Sequence, residues 1–149
     1  MTVEAREDAR SVISRSERDT ARLARDVART VPPGTTILLF GDLGAGKTAF
    51  VRGLAEGLGI DPSDVSSPTF TIVQEYRGER RLLHVDLYRL GPQEVDDLGL
   101  AELSAGETVT AVEWAERMPR PVAGAIEVHL EDAGGTRRRI TIGRPRRRG

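Results

Sequence analysis

Eight consecutive residues, Gly41-Asp42-Leu43-Gly44-Ala45-Gly46-Lys47-Thr48, carry the densest chemistry in the chain. They match the phosphate-binding pattern G-x-x-x-x-G-K-[ST] in full. The glycines let the backbone curl until several N–H groups point inward at phosphate oxygens. A lysine at the seventh place can reach the β- and γ-phosphates, and a hydroxyl at the eighth can ligate Mg²⁺. Lys47 is the only lysine; every other basic residue apart from the histidines is arginine. A compact, rotatable ammonium is thus kept where phosphate has to be met as a point charge. The loop predicts ATP and Mg²⁺ as ligands, with Asp42, Leu43, Gly44, Ala45, Gly46, Lys47 and Thr48 in contact with the nucleotide.

A loop of this kind also needs an acid at a nearby strand end. Two segments supply one: Leu82-Leu83-His84-Val85-Asp86 and Val109-Thr110-Ala111-Val112-Glu113. Spacing does not say which carboxylate meets the metal and which orients water. Ser67-Pro68-Thr69-Phe70 falls where other proteins with this loop sense the γ-phosphate. His84 lies inside an apolar run and reads as packing. Trp114, the only tryptophan, reads as core or as a surface for a partner or base. Arg52, Arg89 and Arg117 are candidates to stabilise developing charge. The chain has no cysteine and two histidines, so any metal should sit on oxygen ligands.

The elements that must hold these residues can be read around them. Thr36–Phe40 is an unbroken apolar run, the pattern of a central parallel strand covered on both faces. The loop follows it and opens a helix from Lys47 to about Leu58. Ser16, with Asp19 three residues on, starts a helix to about Arg29, which Pro32-Pro33-Gly34 stops. Ser11–Ser14 is a short edge strand. Thr69–Tyr76 and Arg81–Leu87 form an antiparallel hairpin. Pro92 opens a short helix to Leu98. Thr108–Val112 is a second buried strand, and Ala125–Leu130 and Arg139–Ile142 close the sheet. Residues 1–10 are expected to be disordered or loosely attached, 11–142 to form the domain, and 143–149 to be a basic tail. Seven arginines lie in residues 137–149 against an overall net charge of −1, so the tail is electrostatically separate from an acidic body.

Four of these segments, in this order, resemble the TsaE (YjeE) family of bacterial ATPases over about Ser11 to Ile142. They are the loop with Phe50-Val51-Arg52-Gly53, Ser67-Pro68-Thr69-Phe70 with Glu75-Tyr76, His84-Val85-Asp86-Leu87-Tyr88-Arg89-Leu90, and Val112-Glu113-Trp114. The resemblance implies an α/β fold, a three-layer P-loop NTPase sandwich with a mainly parallel sheet and antiparallel strands at its margins. It implies weak ATP hydrolysis, stimulated by a two-protein heterodimer (TsaB- and TsaD-like) that places threonylcarbamoyl on the adenosine next to the tRNA anticodon. The tRNA would be met indirectly. Residue by residue, the resemblance puts the Mg²⁺ ligands on Thr48 and Glu113, an acid important for hydrolysis on Asp86 and the switch-like threonine on Thr69. Trp114 matches a tryptophan beside the metal-binding acid. Glu17–Thr20 and Arg138 match regions close to the nucleotide. Ala115 departs from the proline common after Glu-Trp, and the Arg144–Arg148 tail lies outside the family pattern.

The alternative is a small-molecule P-loop kinase. It needs an acceptor pocket and usually a lid, and no lid-like insertion shows after Thr69. A GTPase is disfavoured because its guanine-reading Asn-Lys-x-Asp needs a second lysine. No run reaches the roughly 18 apolar residues of a membrane span, and no signal peptide opens the chain, so a cytoplasmic protein without membrane or DNA partners is expected.

Overall fold

The structure, a computed structural model, describes residues 6–42, 44, 46–65, 72–103, 106–119 and 122–145. Seven strands make one sheet: β1 (Arg6–Ser14), β2 (Thr36–Phe40), β3 (Val73–Arg77), β4 (Arg81–Asp86), β5 (Val109–Glu113), β6 (Ile126–Asp132) and β7 (Arg138–Pro145). The helices are α1 (Glu17–Thr30), α2 (Lys47–Gly57), α3 (Pro92–Asp97) and α4 (Leu100–Leu103). In space the strands run β1-β7-β6-β2-β5-β4-β3. The inner four, β6, β2, β5 and β4, are parallel, while β7, β1 and β3 are antiparallel to their neighbours. The expected parallel centre with antiparallel margins is therefore the observed architecture.

Alternation along β2 explains the two helical layers. Ile37 and Leu39 point to the side packed by α1 and α2, with Phe50, Leu54 and Ala24. Leu38 points to the other side, with Leu83, Val85, Val112 and Val95 of α3. A strand buried on both faces has to be apolar throughout, which is why β2 shows no polar alternation. The same period of two fixes the site. Leu82, Val109 and Ala111 belong to the α1/α2 side, so His84, Asp86 and Glu113, two or four residues on, lie on that side too.

Ser16 caps α1 as expected: its side chain accepts from the Asp19 amide at 3.1 Å. The reciprocal bond differs from a capping box, because Asp19 Oδ2 takes the amide of Arg15 instead of that of Ser16. At the other end, Arg80 donates to the carbonyls of Ala28 and Val31 and satisfies two groups the helix leaves open.

The N-terminal strand is longer than its side chains suggested. Residues 6–10, expected to be loose, pair with β7 through Arg6↔Pro145, Glu7↔Arg144 and Arg10↔Ile142. Likewise β7 continues through Gly143–Pro145, so the first residues of the expected tail are strand. Backbone bonds to a neighbour hold both segments, and charged side chains on an edge do not oppose that. Residues 146–149 lie outside the described residues. Among the described residues no helix is long and apolar enough to cross a membrane.

Candidate nucleotide site

β2 lies between β5 and β6, so the chain leaves its C-terminal end where neighbouring connections diverge to either side. Ligands of open α/β sheets bind at such a switch point. The loop after β2 takes backbone angles that favour glycine, with φ of 81° at Gly44 and 103° at Gly46. Gly46 is the N-cap of α2, and no side chain caps that helix start. The first-turn amides therefore face the loop without a competing side-chain acceptor, the arrangement that attracts an anion.

Lys47 is 5% exposed. Its Nζ donates to the carbonyl of Gly41 at 2.5 Å and lies 3.4 Å from the centroid of the Trp114 ring. Burial pushes the ammonium below its ordinary value, opposed by the negative charges of Glu116, Glu113, Asp86 and Asp42. Thr48 is half-buried at the next position of α2.

Asp86 and Glu113 are register partners at the ends of β4 and β5. Both readings of the strand-end acids thus converge on one place. Their environments differ. Glu113 is 3% exposed, and its Oε2 meets His84 Nε2 at 2.5 Å. Asp86 is only half-buried and accepts the Tyr88 amide at 2.9 Å. Burial raises the Asp86 carboxyl; the Tyr88 bond opposes this and Glu113 adds to it. Among the described residues no three His, Cys, Asp or Glu side chains form a metal cage. The donors present are two carboxylates and a threonine hydroxyl, all hard oxygens, an incomplete set of the kind Mg²⁺ completes with water and phosphate.

Arg138 reaches the loop, its Nη2 donating to the Gly44 carbonyl at 3.3 Å. Glu17 is exposed at the first position of α1, and no bond joins it to the loop among the described residues. Asp42, Gly44 and Gly46 lie on the loop; Leu43, Ala45 and Thr69 fall outside the described residues. Arg52 is turned away, bonding the Val65 carbonyl, and Arg117 reaches the Leu90 carbonyl and the Tyr88 ring.

Two contributors were not singled out for this role by their spacing. Glu116 accepts the Gly41 amide at 2.8 Å and so holds the first residue of the loop. His84, read as packing, is buried as that reading requires but also touches an acid of the site. The signal for Glu116 was its position three residues after Glu113, which the 3₁₀ turn at Ala115–Arg117 folds back toward the loop. A cleft of about 630 Å³ opens beside the loop, lined by Phe40, Asp42, Gly44, Glu116 and His129 among others. Phe40 and His129 stack at its wall with ring centroids 4.4 Å apart.

A central parallel strand, a glycine loop, an uncapped helix with a buried lysine and paired strand-end acids define a P-loop nucleotide-binding protein. Comparison with known proteins narrows the class. Residues 14–140 match the model of the family described as "Threonylcarbamoyl adenosine biosynthesis protein TsaE". A Synechocystis protein described as "tRNA threonylcarbamoyladenosine biosynthesis protein TsaE" is 51% identical over 106 residues, covering 68% of this chain and 67% of its own. A Bacillus subtilis protein of the same description is 44% identical over 129 residues, covering 83% and 78%. The crystal structure of Bacillus subtilis YdiB superposes with a TM-score of 0.74 at 35% identity, over 93% of this chain and 87% of that one. The chain belongs to the TsaE family of threonylcarbamoyladenosine biosynthesis proteins.

Proposed function

We propose that this protein binds ATP·Mg²⁺ at the Gly41–Thr48 loop and hydrolyses it in support of threonylcarbamoyladenosine formation on tRNA. It acts on a two-protein heterodimer that performs the transfer itself. The observation that carries the ATPase reading is the convergence of Lys47, Asp86 and Glu113 on one side of the sheet, beneath the uncapped start of α2.

Each group has a task that its environment suits. Lys47 and the loop amides stabilise charge on the transferring phosphoryl, where burial strengthens every such interaction. Thr48 and Glu113 hold Mg²⁺, which when bound neutralises charge on the phosphate oxygens. Asp86 orients the attacking water: one of its oxygens is tied to the Tyr88 amide, and burial raises its carboxyl, which favours accepting a proton. Thr69 senses the γ-phosphate from the segment after α2. Arg138 holds the loop through Gly44, and Glu17, the first residue of α1, contributes to the nucleotide site on this reading. A cytoplasmic setting is consistent with this role in tRNA modification.

ATP hydrolysis by the purified protein, alone and with TsaB- and TsaD-like partners, tests this. The expected result is slow turnover alone and a sharp rise with both partners. Nucleotide binding with no response to the partners would refute the tRNA-modification role and return the kinase alternative, which a phosphate-acceptor screen would then decide.

A further inference from the structure

His84 is the one histidine with no solvent exposure, and the ATPase reading gives it no task. It stands on β4 opposite Ala111 of β5, two residues before the Asp86↔Glu113 pair. From there its ring reaches diagonally to Glu113, Nε2 to Oε2 at 2.5 Å. A carboxylate oxygen can only accept, so the proton of this bond sits on Nε2. Nδ1 is buried and has no hydrogen-bond partner among the described residues. A histidine serving only as packing would leave both nitrogens unbonded at a cost that leucine avoids. Here one nitrogen is spent on Glu113 and the other is left over, so the bond to Glu113 is what the imidazole provides.

We propose that His84 is a positioning residue for the metal site: it fixes the Glu113 carboxylate by one oxygen and so presents the other, Oε1, to Mg²⁺. The inference rests on the assignment of Glu113 as a metal ligand. A glutamate has three rotatable bonds, and an unanchored one would sample several rotamers at the strand end. Anchoring Oε2 on a ring that is itself locked in the core removes that freedom before the metal arrives. Groups that orient ligands in this way are worth about 10–100-fold in metal affinity when lost.

The test is the Mg²⁺ concentration that half-maximally tightens binding of a non-hydrolysable ATP analogue, with Mn²⁺ binding followed by electron paramagnetic resonance as a direct check. His84→Leu removes the donor with little change of volume. His84→Gln keeps an N–H donor at about the reach of Nε2, and His84→Asn holds one too short to reach Glu113. The expected result is an Mg²⁺ requirement raised about 10–100-fold in His84→Leu and His84→Asn. It should be restored to within about threefold in His84→Gln, with analogue affinity in chelator unchanged in all three. In a Glu113→Ala background, His84→Leu should add nothing, since it acts through that carboxylate. A wild-type Mg²⁺ requirement in His84→Leu, or equal defects in the Gln and Asn variants, overturns the proposal while leaving Glu113 as ligand. If the leucine variant does not fold, the Gln and Asn pair alone decides. If wild type shows no Mg²⁺ dependence, the metal role of Glu113 has failed and His84 falls with it.

Discussion

Gly53 offers the sharpest test of how the fold holds the loop. It lies in the middle of α2, where glycine costs about 1 kcal/mol against alanine. A Cβ built there would sit 2.1 Å from the Ala21 carbonyl oxygen and 2.7 Å from the Ala21 carbonyl carbon and Cα, all backbone of α1. Relief to the usual C–H···O separation of about 3.4 Å needs a shift of about 1.3 Å. No rotamer can supply it, so α1 and α2 have to move apart and give up contacts among Ala24, Ala28, Leu54 and Ala55. Overpacking typically costs 1–3 kcal/mol, and a clash between backbones belongs at or above the top of that range. After the helix-propensity gain, Gly53→Ala is expected to lose about 2–3 kcal/mol. For a chain of this size that lowers the melting midpoint by about 5–10 °C. Differential scanning calorimetry reads it directly, and Gly91→Ala serves as the contrast, because its φ is −83° and a Cβ there would meet only the Glu94 side chain at 3.6 Å. If Gly53→Ala melts at or above wild type, the close approach of the two helices is not what demands glycine.

Lys47→Ala is expected to abolish productive nucleotide binding; calorimetric titration with ATP giving wild-type affinity would refute the loop's role. Ser16→Ala removes the acceptor for the Asp19 amide and should cost about 1 kcal/mol, read from urea unfolding; no change would mean the cap is made elsewhere. Burial raises the Asp86 carboxyl, so the folded chain binds that proton more tightly than the unfolded chain does. Its stabilising share is complete below the ordinary value of 3.8 and is lost as pH rises through the raised folded value. Asp86→Asn keeps the acceptor for Tyr88 and escapes that loss. It should melt above wild type at pH 7 and converge with it as pH falls toward 3.8. A gap that does not vary with pH would show that ionisation of Asp86 is not its source.

The central strand, the loop and α2 were legible in the sequence because each has a local cause: an apolar run, a glycine spacing and a helical period. β2 covers the residues expected of it, Thr36–Phe40, and the β3–β4 hairpin and both strand-end acids were read from pattern as well. What local pattern does not carry is which side chains meet across elements. The His84–Glu113 bond depends on β4 and β5 being parallel neighbours in one register, and an apolar run around a histidine says only that it is buried. The bond from the Gly41 amide to Glu116 joins residues 75 positions apart. The extent of β1 and β7 was hidden for the opposite reason: edge pairing through backbone groups leaves little trace in side-chain type. Gly53 looked like one more helix residue because its neighbour is α1, 32 positions away at Ala21.

The five residues Glu113–Arg117 show why so much chemistry can follow one strand. Trp114 takes φ 59° and ψ 44°, the only non-glycine residue with positive φ among the described residues. For a bulky side chain that conformation costs on the order of 1–3 kcal/mol and persists only when its surroundings enforce it. Continued extension of β5 would send successive side chains to opposite faces of the sheet. The left-handed step instead turns the chain into the Ala115–Arg117 turn, and the side chains diverge toward different partners. Glu113 stays beneath α2 on His84, and the indole of Trp114 lies against Lys47 and Tyr88. Glu116 comes back to the Gly41 amide, while Arg117 fixes the turn through the Leu90 carbonyl. Strain at one residue therefore lets a single segment touch the acid, the lysine and the first residue of the loop. Gly41 at the start of that loop is thereby joined to Glu113 by one hydrogen bond and no more than three intervening residues.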